Sequence, residues 1–265
     1  MLTRIWKIAG SKCLCLLALV LSSCAATSPP SRDFSAYVLA AVRSMPSGGG
    51  YASDRAAEVR LAERGIVRAA QGLRVDPAAA APTFCSAACY MALVKALQSW
   101  EGSLPAPVFT PAVWESLRVE PRHPDGYLAW GRANANGPGF AKWVHDTGAG
   151  VNFSSFAAAR PGDFLKFFHN TEIGVRERGH MVIFLGAEQR DGELCIRYWS
   201  SNKPGGYGVR STPVRSMHHL IFTRITHPAR LAASLRLPQL DSWLASMIER
   251  DFSYAECAAK IRLDK

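Results

Sequence analysis

The sequence predicts an α+β fold, in which helices precede and follow a small antiparallel sheet. Apolar residues recur at helical spacing in residues 34–45, 53–71 and 83–100. From residue 160 the pattern changes to short apolar or β-branched segments that end at Gly, Pro-Gly or Asp-Gly signals. Helical spacing returns after residue 228. Helices and strands that are segregated along the chain are typical of the α+β class.

The first predicted helices differ in the clarity of their boundaries. Residues 34–45 could form a short helix that stops at the flexible segment 46–50. In residues 53–71, the apolar spacing predicts an amphipathic helix with Ser53 as its N-cap. Residues 83–100 form the clearest helix of the sequence, and its first turn contains Cys85.

The strands are expected in the second half of the chain. Before them, a region rich in Pro, Gly and Asn predicts short helices at 111–117 and around 140–145. The predicted strands are 163–168, 180–185, 194–200 and 219–225. Asp191-Gly192 predicts a hairpin turn between two of them. Two further helices are expected at 240–247 and 254–261.

The beginning of the chain predicts export. Residues 13–21 are apolar and are preceded by Arg4, Lys7 and Lys12 without any acidic residue, which is the pattern of a signal peptide. Leu21-Ser22-Ser23-Cys24 resembles a lipoprotein cleavage site, after which Cys24 would be acylated. The domain organisation predicted is a signal peptide at 1–23, a lipidated tether with a short helix at 24–50, and one catalytic domain at 51–265.

Composition limits the class of protein and its partners. The 265 residues are 48% hydrophobic and 20% charged, which excludes an intrinsically disordered chain and a disulfide-dense scaffold. The formal net charge is +10, and removal of residues 1–23 leaves a basic chain. An exported basic protein is expected to meet an anionic envelope polymer such as peptidoglycan, and no basic run predicts a nucleic-acid partner.

One cysteine, one histidine and one asparagine form a candidate catalytic set. Cys85 lies in the first turn of a helix, where the helix dipole and free N–H groups stabilise a thiolate. His180 begins a strand, and Asn202 ends the next one. The intervening hairpin brings these two strand ends together. The pattern predicts Cys85 as nucleophile, His180 as base and Asn202 as the group that orients the imidazole.

Alternatives remain open for each role. Cys89, one helical turn after Cys85, is a rival nucleophile, and Cys85 could instead be a structural thiol or half of a disulfide. Ser200 or Ser201 could replace Asn202 as the third group. Cys195 and Cys257 are interpreted as core residues or as a pair with each other.

Other polar residues could line the cleft. Ser86, Ser200 and His169 are candidates, and Tyr51 could either line the site or pack as an ordinary aromatic residue. The seven histidines show no metal-ligand spacing such as His-Glu-x-x-His. We therefore expect neither a metal nor an organic cofactor.

Three segments are similar to the papain-like cell-wall peptidases and amidases of the NlpC and CHAP type. They are Phe84-Cys85-Ser86 at a helix start, Pro161-Gly162-Asp163 at a strand entry, and Gly179-His180-Met181-Val182 at the start of a strand. Phe84 and Ala87 stand where this superfamily often has Asp and Gly, which indicates a divergent branch. The resemblance covers about residues 80–225. It implies a papain-like core, in which the helix that carries Cys85 packs on the sheet that carries His180.

The resemblance also implies an activity. It predicts an exported cysteine hydrolase that cleaves amide bonds in peptidoglycan stem peptides through a thioester, anchored by lipid to the periplasmic face of a bacterial membrane or otherwise secreted. Two alternatives are an inactive envelope lipoprotein that acts as a binding module, and an acyltransferase that uses the same thioester.

Overall fold

The computed structural model describes residues 33–70 and 72–264, which belong to one compact unit. The predicted signal peptide at 1–23 and the predicted acylation site Cys24 lie outside the described residues. Among the described residues, the search for a helix that is long and apolar enough to cross a bilayer finds none.

The structure is a mixed α+β fold with a mostly antiparallel sheet, as the sequence predicts. The α-helices are α1 (Phe34–Arg43), α2 (Arg55–Arg60), α3 (Cys85–Glu101), α4 (Pro111–Ser116), α5 (Leu128–Asn134), α6 (Gly139–Thr147), α7 (Ser242–Ala245) and α8 (Tyr254–Ile261). The strands are β1 (Gly48–Gly49), β2 (Ile66–Ala69), β3 (Gly72–Val75), β4 (Gly150–Phe153), β5 (Phe164–Phe168), β6 (Gly179–Arg190), β7 (Glu193–Asn202), β8 (Gly206–Pro213) and β9 (His219–Ile225).

One seven-stranded sheet organises the molecule, with the strand order β1-β8-β7-β6-β5-β9-β4. Every neighbouring pair in it is antiparallel. The predicted turn at Asp191-Gly192 joins β6 to β7, and both residues have positive φ, 53° and 77°. Positive φ at both central residues is the requirement of a type I′ hairpin turn, which explains the Asp-Gly pair.

The two faces of the sheet pack against different layers. On one face, α3 packs against β6 and β7, and α1 and α5 pack against α3. Helix α3 is buried along most of its length, from Ala87 to Val94 without interruption. The opposite face holds a smaller aromatic cluster that includes Phe167, Phe184 and Phe222. Because α3 is buried, its first turn is fixed relative to the ends of β6 and β7.

The predicted helix at 53–71 is wrong in its second half. Helix α2 ends at Arg60 and continues as a single π-helical turn, Leu61–Gly65, after which β2 pairs with β3 in a separate hairpin. The side chain that caps α2 is Asp54 and not Ser53. The β-branched residues Ile66 and Val67 disfavour helix, and the pairing with β3 decides between the two states.

Other elements differ in length or were not predicted. Strand β6 extends to Arg190, beyond the predicted end at residue 185. The prediction stopped early because the distal half of the strand is polar and mostly exposed, and so carries no apolar signal. Strands β4 and β8 and helix α5 have no clear periodicity; the two strands form because their neighbours in the sheet supply hydrogen bonds. Of the predicted helix at 240–247, only α7 is α-helical, followed by a 3₁₀ turn, Ser246–Ile248.

The domain boundary expected at residue 50 is not present. Gly48–Gly49, predicted to lie in a flexible stop, forms β1 and pairs with Tyr207 and Gly206 of β8. Helix α1 is also part of the main core, with Phe34 and Val38 buried against it. The chain from residue 33 onward therefore belongs to the same domain as the sheet.

Candidate active site

Cys85 is the first residue of α3, and it is a partly buried residue that lines a cleft. The N-cap is Phe84, whose side chain cannot accept a hydrogen bond, so the first N–H groups of the helix receive no side-chain cap. The chain before the helix is held by the carbonyl of Thr83, which accepts from Ser201 Oγ at 2.9 Å and from the Ala52 backbone at 3.2 Å. The uncapped helix start is thus fixed beside the sulfur.

The structure places His180 beside Asn202, as the hairpin argument predicts. His180 Nε2 lies 3.1 Å from Asn202 Oδ1. The Asn202 amide nitrogen donates to the carbonyls of Ser200 and Gly208, both at 3.0 Å, which leaves Oδ1 as the atom that faces the imidazole. Since Oδ1 can only accept, Nε2 carries the proton, and Nδ1 remains for the sulfur.

Aromatic rings hold the imidazole in place. Phe167 and Tyr198 contact His180 edge to face, with ring centroids 5.7 and 5.8 Å away. Both residues lie on the neighbouring strands β5 and β7, on the same face as His180. The ring is therefore fixed by its strand neighbours as well as by the amide.

The environment of Cys85 favours the thiolate. Burial alone would raise the pKa of this thiol, but a hydrogen bond from His180, the positive charges of His180 and Lys166, and the Met181 N–H lower it to about 6. A thiol with such a pKa is ionised at neutral pH, which is the form that acts as a nucleophile. The helix dipole adds to these effects in the same direction.

Lys166 was not predicted as a site residue. It lies in the middle of the apolar strand β5, and its side chain is only 11% exposed. Its ammonium group forms an ion pair with Glu177, whose side chain is 4% exposed. A single lysine within Phe164-Leu165-Lys166-Phe167-Phe168 was the available signal, because a buried cation needs a charged partner or a function.

Tyr51 contacts the nucleophile instead of packing only as an aromatic side chain. The Tyr51 backbone forms an isolated β-bridge with Thr83, two residues before α3 begins. Burial, followed by the charge of the neighbouring Cys85 thiolate and hydrogen bonding to it, raises the pKa of Tyr51. A tyrosine held protonated in this position is a hydrogen-bond donor to negative charge at the sulfur or beside it.

The remaining candidates occupy different positions. Ser86 lines the cleft and donates to Asn134 Oδ1 at 2.7 Å. Ser200 does not line it: the residue is fully buried, and Oγ donates to the Met181 carbonyl at 2.8 Å. His169 lies in an adjoining pocket, with Nδ1 3.0 Å from the Ser216 carbonyl.

The other thiols are core residues. Burial, followed by the charge of Cys85, raises the pKa of Cys89 well above its usual value, which disfavours it as the nucleophile. The interpretation of Cys195 and Cys257 as core residues is confirmed, since both are buried, and the alternative that they pair with each other is wrong. Within the described part of the chain, none of Cys85, Cys89, Cys195 and Cys257 forms a disulfide.

The cleft has a volume of about 330 Å³, and Cys85 is one of its lining residues. One wall is polar and acidic, with Glu58, Asp125 and Glu177, whereas Phe84 and Phe140 are apolar lining residues. A second pocket on the other side of His180 includes Lys203 and Arg210. Tyr51 and Gly179 border both pockets.

We expect the alkylation of Cys85 by iodoacetamide to have a midpoint near pH 6. The thiolate is the charged form, so a lowered pKa keeps it present above about pH 6, and the rate falls about tenfold per pH unit below it. The measurement is the rate of Cys85 labelling by mass spectrometry between pH 4.5 and 9. A midpoint above pH 8 would contradict the assignment of the thiolate.

Among residues 33–70 and 72–264, no group of three or more His, Cys, Asp or Glu side chains is arranged to hold a metal ion. The chain was also compared with known proteins. No protein-family model, no curated protein and no solved structure matches it.

Proposed function

We propose that this protein is an exported, papain-like cysteine hydrolase that cleaves amide bonds, with peptidoglycan stem peptides as its substrate. The observation that carries the proposal is the position of His180, which lowers the pKa of the Cys85 thiol and lies 3.1 Å from Asn202 Oδ1. A nucleophile, a base and an orienting amide in this order constitute the arrangement of a cysteine peptidase.

The proposed reaction proceeds through a thioester. The Cys85 thiolate attacks the carbonyl carbon of the scissile amide, and the C–N bond breaks as protonated His180 gives its proton to the leaving amine. Neutral His180 then removes a proton from water, which attacks the thioester and releases the acid. Asn202 keeps the imidazole in the tautomer and orientation that both steps need.

The oxyanion of the tetrahedral intermediate needs donors beside the sulfur. The N–H groups at the uncapped start of α3 are available there. The Tyr51 hydroxyl is a second donor in the same cleft, since it stays protonated beside Cys85. Neither donor requires a cofactor.

The proposals of an envelope location and of an anionic polymer as partner are based on the sequence. The apolar run at 13–21 and Cys24 support export with lipid anchoring to a bacterial membrane, and the basic balance supports an anionic wall polymer as partner. The departures at Phe84 and Ala87 support a divergent branch of the superfamily.

The test is digestion of purified peptidoglycan fragments, with product analysis by mass spectrometry. Full-length protein is expected to release stem-peptide fragments, and Cys85→Ala is expected to lose about a thousandfold or more of this activity. Cys195→Ala is the matched control, because it removes a buried thiol at the distal half of the β6-β7 hairpin. Binding without cleavage by the unmodified protein would favour the inactive binding module, and transfer of the acyl group to an added amine would favour the acyltransferase.

A further inference from the structure

The acidic wall of the cleft is organised around one asparagine. The Asn134 amide nitrogen donates to Glu58 Oε1 at 3.2 Å and to Asp125 Oδ1 at 3.3 Å. The Asn134 amide oxygen accepts from Ser86, the residue after the nucleophile. Both polar atoms of this amide are thereby hydrogen-bonded, and the amide connects the two carboxylates to Ser86.

The positive charges around this wall do not balance its negative charges. Glu58 pairs with Arg55 at 2.9 Å, and Glu177 pairs with Lys166. In the described part of the chain, Asp125 forms no ion pair with any Lys, Arg or His side chain. Burial, then the charges of Glu58 and, to a smaller extent, of Glu177 raise the pKa of Asp125 to about 6, against the opposing hydrogen bond from Asn134.

A second feature of the acidic wall is the carboxylate of Glu177. Among the residues that the structure describes, Glu177 Oε2 is a buried oxygen without a hydrogen-bond partner, on a side chain that is 4% exposed and lines the cleft. A buried carboxylate oxygen that lacks a donor is costly, and native proteins rarely keep one unless a ligand or a bound group satisfies it. The site is therefore short of hydrogen-bond donors and of one positive charge.

Both features connect directly to the nucleophile. Asp125 is linked to the start of α3 through Asn134 and Ser86. Glu177 is linked to it through Lys166, whose charge acts on the Cys85 thiolate. A group bound at the acidic wall would thus share the cleft with a carbonyl held at Cys85.

We propose that the acidic wall of Glu58, Asp125 and Glu177 binds a primary ammonium group of the substrate, close to the scissile amide. This inference rests on the proposed function, because it names the substrate class of the same cleft: short peptides with a free amine beside the bond that is cut. A primary ammonium supplies one positive charge and three N–H donors, which are what Asp125 and Glu177 Oε2 lack.

The test compares matched peptide amides that differ by one acetyl group. One pair carries the amine on the acyl side of the scissile bond and the other pair carries it on the leaving side; cleavage by the full-length protein is followed by chromatography. In at least one pair, the free amine is expected to raise kcat/KM about tenfold or more over the acetylated form. In Asp125→Asn, this preference is expected to fall to about threefold or less.

The control variant is Glu63→Gln, which removes an exposed acidic charge outside the cleft and is expected to keep the preference. Asp125→Asn retains the oxygen that accepts from Asn134. Because it removes a partly buried charge that has no ion-pair partner among the described residues, it is expected to leave the thermal midpoint unchanged or raised, and a fall in the preference then cannot come from unfolding. Equal cleavage of free and acetylated forms in both pairs would overturn the inference and leave the hydrolase proposal intact.

Binding to Cys85→Ala separates the two proposals. Isothermal titration calorimetry with the same peptide amides measures the ammonium preference without any cleavage. A preference for the free amine in binding, together with no cleavage by the unmodified protein, would support the ammonium site and contradict the hydrolase. Equal binding of both forms would overturn the ammonium site whatever the activity.

Discussion

The substitution His180→Ala is expected to slow the alkylation of Cys85 about tenfold at pH 6.5 and to reduce amide hydrolysis about a thousandfold. With a pKa of about 6, Cys85 is about three-quarters thiolate at this pH. At the ordinary thiol pKa of 9.0 the thiolate is about 0.3% of the total, a loss of about 240-fold. A thiolate of higher pKa is intrinsically about 20-fold more nucleophilic, so about tenfold remains.

The rate of amide hydrolysis is expected to fall more than the rate of alkylation, because hydrolysis needs a proton donor. Iodide leaves without protonation, whereas the amine of an amide must receive a proton from His180, and general acid catalysis contributes about 10²- to 10⁴-fold. The two rates are measured on the same preparations. Equal losses in both reactions would show that His180 acts only on the pKa of the thiol and not as a proton donor.

One further variant tests the geometry of the His180–Asn202 pair, and a second variant serves as its control. Asn202→Ala removes the oxygen 3.1 Å from the imidazole and is expected to reduce hydrolysis less than His180→Ala does, since the base remains but loses its orientation. His218→Ala is the matched control, because it removes an exposed histidine that lies outside the site. A loss of activity in this control would indicate a general effect of histidine removal on folding.

The substitution Asp163→Ala is expected to lower the free energy of unfolding by about 3–5 kcal/mol. Asp163 is fully buried before β5, and its carboxylate accepts from Arg224 Nε at 2.8 Å and Arg224 Nη2 at 2.7 Å. It also accepts from the Arg160 backbone at 2.7 Å, which closes the Pro-Gly-Asp turn. Removal leaves the guanidinium partly buried without its counter-charge and frees the turn that leads into β5.

The measurement is urea unfolding followed by tryptophan fluorescence. Glu193→Gln is the matched control, because it breaks the ion pair with Arg215, whose side chain is 81% exposed, and should cost less than about 1 kcal/mol. A loss of under 1 kcal/mol in Asp163→Ala would mean that the turn and the strand do not depend on the buried pair.

The sequence predicted the elements whose local signals agree with their tertiary environment. Helix α3 was clear because it is buried and apolar along its length, and α8 because its residues follow helical spacing. The Asp191-Gly192 turn was predictable because few residue pairs tolerate positive φ twice. Hydrophobic periodicity and the residue preferences of turns are properties of short segments, so a single sequence is enough to predict the elements that depend on them.

Residues 61–69 show where such reasoning fails. The spacing of Leu61 and Ile66 suits a helix, yet the chain leaves the helix after one π-helical turn and forms β2. The deciding contribution is the pairing of Ile66–Ala69 with Gly72–Val75. Local helix propensities differ by less than about 1 kcal/mol per residue, so pairing and packing with distant residues override them.

The sequence by itself determined the chemical types and order of the candidate nucleophile, base and orienting residue. A cysteine at a helix start and a histidine at a strand start follow from local signals. The short turn joins the strands that carry His180 and Asn202, but a register shift between Phe184 and Gly186 changes how the site-proximal halves of these strands pair, and only the tertiary structure shows it. The environment of the site came only from the tertiary structure. Lys166 and Asp125 were not predicted at the site and are distant in the chain, and only the tertiary structure brings them with Tyr51 to one cleft. Charges that are distant in the chain shift a pKa through space, and a sequence pattern does not record that proximity.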